Sequence, residues 1–192
     1  MAHRNNMLFR LVLLAGLPFA VAVCLMGGMV LTQKETLHEM RQIGALTELA
    51  TYISAYIHEI QKERGVTGLM MGSGGNKFVS ELAAQRDLTD RKRANLERFL
   101  REFSADSYSR DFRDALEIAL AQMRAIDAHR SRVDSRSIPL QEALAVYTEH
   151  DARMIDVIQH VSVSGSHVET IRMAISYVSF LRGKECASVE RA

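Results

Sequence analysis

Residues 46–71 read LTELATYISAYIHEIQKERGVTGLMM. Leu46, Ala50, Ile53, Ile57 and Ile60 recur there in alternating steps of four and three, and the same stripe runs on through Arg64, Thr67 and Met71. That spacing marks the seam of a helix packed in a bundle. Helical period holds without a proline from about Gln33 to Met71, and Gly72-Ser73-Gly74-Gly75 is the first strong breaker. With two Pro and no Trp in 192 residues, and no strand-like alternation of useful length, the chain reads as all-α.

The same reasoning gives three further helices. One, about Lys77 to Phe103, is expected to bury Phe78, Leu82, Leu96, Phe99 and Phe103, although Gln85, Thr89 and Lys92 make the middle of that stripe polar. The next, about Asp111 to Val133, carries Phe112, Leu116, Ala119, Met123 and Ile126, with Ser109 or a neighbour as its cap. Ser137-Ile138-Pro139 then opens a helix from about Leu140 to Val163, because proline is welcome in a first turn. Ser166 and Glu169 have capping-box spacing for a fifth, continuing through Ile171, Ile175, Val178 and Leu181. Short loops favour antiparallel neighbours.

Upstream of the bundle, Leu11 to Leu31 reads LVLLAGLPFAVAVCLMGGMVL, without a charge. As a helix this run spans about 31 Å, the thickness of a bilayer core. It is longer than a signal-peptide core, and no small-residue cleavage site comes after it. Val23 before Cys24 also argues against a lipoprotein. Arg4 and Arg10 lie on the N-terminal side and no acid precedes Glu35, so the positive-inside rule keeps the N-terminus in the cytoplasm and exports the chain beyond Thr32. The expected organisation is therefore a cytoplasmic start and transmembrane anchor over 1–32, then an extracytoplasmic helical domain over 33–192.

Composition limits the chemistry. Without Arg4 and Arg10, 22 cations face 23 acids, and a near-neutral domain lacks the basic face that nucleic acid requires. Arg91-Lys92-Arg93 reads as a basic surface patch. Asp87 and Asp90 read as solvated or paired with Arg86 and Arg93. Seven scattered His show no HExxH or close pair, and Cys24 and Cys186 form no zinc motif. No nucleophile–base arrangement and no phosphate-binding glycine loop stands out, so neither catalytic residues, a metal nor a cofactor is expected.

The anomaly is Arg64, four after Ile60 and three before Thr67 on an apolar seam. A guanidinium is too costly to desolvate alone. It must reach solvent, pair with an internal carboxylate, or meet a bound anion, for which its planar fork is suited. Gly65 and Gly68 leave little bulk beside it. A second Glu-Arg with a small residue after it closes the chain at Glu190-Arg191-Ala192.

The stretch Gln61-Lys62-Glu63-Arg64-Gly65-Val66-Thr67-Gly68 resembles the signature of the nitrate- and nitrite-sensing (NIT) domain. The resemblance continues in order through Arg86-Asp87-Leu88-Thr89-Asp90, Arg132-Val133-Asp134, Glu142 to Thr148, and Lys184-Glu185 to Ala192. It covers about Leu46 to Ala192, with Thr67 where the family often has Ser. It implies an all-helical sensor of bacterial chemotaxis receptors, kinases, cyclic-di-GMP enzymes or antiterminators, so that 33–192 is expected as a sensor domain in the periplasm, anchored in a bacterial inner membrane. Nitrate or nitrite would be held between helices by arginines, with Arg64 and Arg191 as the candidate ligands. The chain ends directly after the second arginine motif, without the family's returning span and output module, so it is expected to be either a fragment or a truncated product with an incomplete sensor domain. A homodimer is expected by analogy with transmembrane receptors. The alternative is a helical receptor ectodomain for another ligand, or a protein-interaction or dimerisation module.

Overall fold

The computed structural model describes residues 40–163, with Met26, Met29, Phe180 and Gly183 as isolated helical positions. Apart from those isolated positions, the candidate anchor over 11–31 and the fifth helix from Ser166 lie outside the described residues, as do both cysteines and Arg191. Among those described, no helix is long and apolar enough to cross a membrane. The chain divides into two units at Gly44/Ala45. In the first, residues 40–44 are helical.

The second unit is helical throughout its described length. Its elements are α1 (residues 45–72), α2 (Val79–Glu102), a short 3-10 turn at Ala105–Ser107, α3 (Arg110–Asp134) and α4 (Leu140–Val163). The seam of α1 packs as its spacing predicts, with Leu46, Ile53, Ile57 and Ile60 buried. A second row, Leu49, Tyr56, Glu63 and Met70, is buried beside it. α1 therefore presents a face two rows wide.

Contacts along the helices fix their directions. Glu59 meets Gln85 while Tyr52 meets Phe99, so α1 and α2 run antiparallel. Arg86 meets Asp134 and Arg93 meets Asp127, which sets α2 against α3 in the same sense. Arg132 pairs with Glu142 across the α3–α4 turn. Glu63 meets Tyr147 while Tyr56 meets His150, so α4 is antiparallel to α1.

Capping chemistry explains the element ends. The Ser109 side chain accepts a hydrogen bond from the Phe112 amide at 3.2 Å, fixing the start of α3. Ser109→Ala is expected to cost about 1 kcal/mol, measurable as a lowered urea midpoint at constant slope. The Pro139 carbonyl accepts from the Ala143 amide at the start of α4. Gly74 and Gly75 sit at φ 70° and 79° after α1, where a side chain would be strained.

Phe78 corrects the sequence reading. It precedes α2 rather than lying in it, takes a left-handed φ of 64°, and is 36% exposed. The turn out of the glycines carries its side chain away from the core. Lys92 is also exposed, and Phe99 and Phe103 are half-buried. Gln85 and Thr89 are buried nonetheless.

The apolar interior falls into two clusters. The larger joins Leu46 to Ile60 with Leu96, Phe112 to Ile126 and Tyr147 to Ile158. The smaller joins Met70, Leu82, Val133, Ile138 and Ala143. Polar side chains from all four described helices, most of them buried, gather around Glu59 and Glu63, and they form the candidate site.

Candidate functional site

α1 contributes Glu59, Glu63, Arg64 and Thr67, which are 7%, 0%, 1% and 0% exposed. Burial to this degree requires partners, since an unsatisfied buried polar group costs about 1–3 kcal/mol and a lone charge more.

The Glu59 carboxylate accepts from Gln85 Nε2 at 2.8 Å and from Lys62 Nζ at 3.3 Å. Gln85 Nε2 also reaches the Glu59 carbonyl, as does the Thr89 hydroxyl. This explains the polar middle of the α2 stripe, which faces a carboxylate and a backbone oxygen. Burial pushes the Glu59 carboxyl up, but the hydrogen bonds from Gln85 and Lys62 and the lysine charge outweigh it and hold it below its usual range.

Glu63 is the centre of the network. Arg130 of α3 forks onto it, Nε to Oε1 at 2.7 Å and Nη2 to Oε2 at 2.8 Å. The Tyr147 hydroxyl donates to the same Oε1 at 3.0 Å, and Arg86 Nε lies 3.8 Å away. Arg130 Nη1 extends the network to Asp90 at 2.8 Å and Asp127 at 3.2 Å. Burial would lower the Arg130 pKa, yet the hydrogen bonds and charges of Glu63 and Asp90 raise it further. Burial, reinforced by Glu63, likewise raises the Tyr147 phenol above its usual range. His129 stands edge-on to Tyr147 with ring centres 4.8 Å apart, and burial with the Arg132 charge holds its pKa below the usual histidine value.

Arg64 sits at the next position on α1, and its Nη1 donates to Thr148 Oγ1 at 3.0 Å. The Thr148 hydroxyl in turn donates to the Leu144 carbonyl, which fixes its rotamer and leaves its lone pairs toward the guanidinium. Of the three outcomes open to this arginine, reaching solvent is excluded by its burial. A Cβ added at Gly65 would meet nothing within 4 Å, so close packing does not demand that glycine.

Four of the five sequence motifs are thus largely explained by contact. Glu63 and Arg64 face Tyr147 and Thr148, Arg86 pairs with Asp134, Thr89 reaches Glu59, Asp90 pairs with Arg130 and Arg93, and Arg132 pairs with Glu142. Four motifs separated along the chain converge on adjacent helices. The fifth, with Arg191, lies outside the described residues. The Arg91-Lys92-Arg93 patch is exposed at Arg91 and Lys92, whereas Arg93 is tied to Asp127 at 2.9 Å. Asp87 is exposed. Among the described residues no cluster of His, Cys, Asp or Glu is suited to a metal ion.

A family model described as nitrate and nitrite sensing matches residues 55–192. The chain belongs to this family. Its relatives include the nitrate regulatory protein of Klebsiella oxytoca, 28% identical over 165 residues, a match covering 83% of this chain and 39% of that protein. Among solved structures, the NasR transcription antiterminator superposes with a TM-score of 0.71 at 24% identity, over 80% of this chain and 41% of that one. The second likeness establishes that the two chains share this helical fold. In both cases the chain spans about two fifths of the relative's length. Both names are those of regulators, and neither is that of a membrane receptor.

Proposed function

We propose that this chain is the ligand-sensing part of a bacterial signalling protein, binding nitrate or nitrite between helices with Arg64 and Arg191 as anion ligands. The observation that carries the reading is Arg64 itself: a guanidinium 1% exposed on the seam of α1, in a chain that belongs to the nitrate and nitrite sensing family. A planar oxyanion matches the parallel donors of an arginine fork, and the Thr148 hydroxyl beside it supplies a further polar contact. An anion contacting α1, α4 and the arginine near the C-terminus would favour one helix packing over another. It shifts that equilibrium only by its different affinities for the two states.

The charge-free run over 11–31 supports a membrane-anchored form with the sensor in the periplasm, acting as a receptor dimer. The relatives' names support a second reading, a sensor that controls transcription antitermination without crossing a membrane. An alkaline phosphatase fused after residue 192 separates the two: activity in cells indicates export, inactivity the second reading.

Nitrate titrated by calorimetry into the full chain in detergent micelles is expected to give saturable binding that Arg64→Ala abolishes. Undiminished binding in that variant, with helical content intact by circular dichroism, would rule out this site.

A further inference from the structure

α1 and α2 leave a groove between them near the start of α1. It encloses about 340 Å³, within the range of small-molecule pockets, and is lined by Glu48, Tyr52, Asn95, Arg98, Phe99 and Glu102. Glu48 and Tyr52 are four apart on α1, while the other four keep three- and four-residue spacing on α2, so each set shares a helix face. Tyr52 and Phe99 are half-buried, with ring centres 5.1 Å apart, and form the floor. Glu48, Arg98 and Glu102 are exposed and form the rim. Because the helices run antiparallel with Tyr52 against Phe99, Glu48 and Glu102 share one end of the groove. Arg98 lies about 6 Å back along the α2 axis, with Asn95 beyond it. Among the described residues, the side chains of Glu48, Asn95, Arg98 and Glu102 make no hydrogen bond or ion pair. Arginine before glutamate is also the weaker order for such a pair on one helix. Two carboxylates, a guanidinium and an amide thus line one cavity without satisfying one another.

We propose that this groove is a further ligand site, taking a small ω-amino carboxylate with its ammonium between Glu48 and Glu102 and its carboxylate on Arg98 and Asn95. An ammonium beside the Tyr52 and Phe99 rings is drawn by their electron-rich faces as well as by the two glutamates. The arginine fork and the amide donate to the carboxylate at the other end. Methylene groups between the charges cover the aromatic floor. An α-amino acid carries its charges too close together to span the distance of about 6 Å between the Glu102 and Arg98 positions, whereas a four-carbon chain reaches across it. A ligand held in this way ties α1 to α2. Tyr52 precedes Arg64 by twelve residues, about 18 Å along α1, so the groove is separate from the proposed anion site and independent of it.

Saturation-transfer NMR on the full chain in micelles, read against protein-free micelles, tests this with γ-aminobutyrate, butylamine, butyrate and glycine. γ-Aminobutyrate is expected to bind saturably in the millimolar range, as a shallow polar groove allows. The other three, which lack one charge or the spacer, are expected to bind at least about threefold more weakly. Arg98→Gln should weaken γ-aminobutyrate about threefold and leave butylamine unchanged, whereas Glu48→Gln/Glu102→Gln should weaken both about fivefold. The replaced side chains are exposed, so the helical signal in circular dichroism should persist in each variant. Arg64→Ala should bind γ-aminobutyrate as wild type does, whatever becomes of nitrate. Absence of saturable γ-aminobutyrate binding overturns the proposal and leaves the anion reading untouched. Equal losses of γ-aminobutyrate and butylamine in Arg98→Gln, or glycine binding as tightly as γ-aminobutyrate, also overturn it.

Discussion

Arg130→Met is expected to lower the stability of the helical unit by about 3–5 kcal/mol, the cost of leaving a buried carboxylate without its ion-pair partner. Glu63 is fully buried and takes two of its three close hydrogen bonds from Arg130. After the substitution it would keep only the Tyr147 hydroxyl at 3.0 Å and the distant Arg86 at 3.8 Å. The reverse truncation, Glu63→Gln, is expected to cost far less, because Arg130 remains paired with Asp90 and Asp127. The Glu63→Gln/Arg130→Met double variant should recover much of the loss, as apolar replacement of a whole buried pair often does. Urea unfolding monitored by circular dichroism measures all three. Equal losses for the two single variants would show that the pair does not control the stability of this belt.

Acid is expected to weaken the fold well before most carboxylates titrate. His150 is 1% exposed and its ring packs edge-on against Tyr56 at 5.4 Å. Burial pushes its pKa down to about 4, with the Arg130 charge and His129 adding to the effect, while the Gln122 backbone bond and Glu63 oppose it. The folded pKa is thus depressed, and between about 4 and 6.5 the unfolded chain binds the proton that the folded chain refuses. His150 imposes no penalty above pH 6.5, and stability falls as pH drops through that window. The loss by pH 4 is about 3 kcal/mol, from about 1.4 kcal/mol per unit. His129, also depressed by burial, adds in the same direction. Glu59 acts later, since its lowered pKa makes its contribution disappear only below the ordinary carboxylate range. Urea midpoints across this range should fall with acidity, and His150→Gln should flatten the slope. An unchanged slope in that variant would place the acid sensitivity elsewhere.

Much of the fold was legible because helical patterning is local. The four-and-three spacing of α1, the Ser109 cap and the proline before Leu140 each act within a turn or two, and each lies where the spacing places it. Phe78 misled for the same reason. Its apolar character suggested burial, but the preceding glycine turn set its φ and direction. Arg64 was visible as a charge on an apolar seam. Glu63 carried a comparable signal that the narrower stripe concealed, since Leu49, Tyr56, Glu63 and Met70 recur every seven residues and are all buried.

By itself, then, the sequence determined that the described part of this chain is helical, where α3 begins and ends and where α4 begins to within about a residue, and that a guanidinium belongs inside. Those are consequences of backbone periodicity, end chemistry and the cost of desolvating a charge. Only the tertiary structure decided which partners make that interior tolerable. Glu63 finds Arg130 across 67 positions and Tyr147 across 84, and Arg64 finds Thr148 across 84. Such pairings depend on how helices rotate and slide against one another, and a one-dimensional pattern carries no record of that choice.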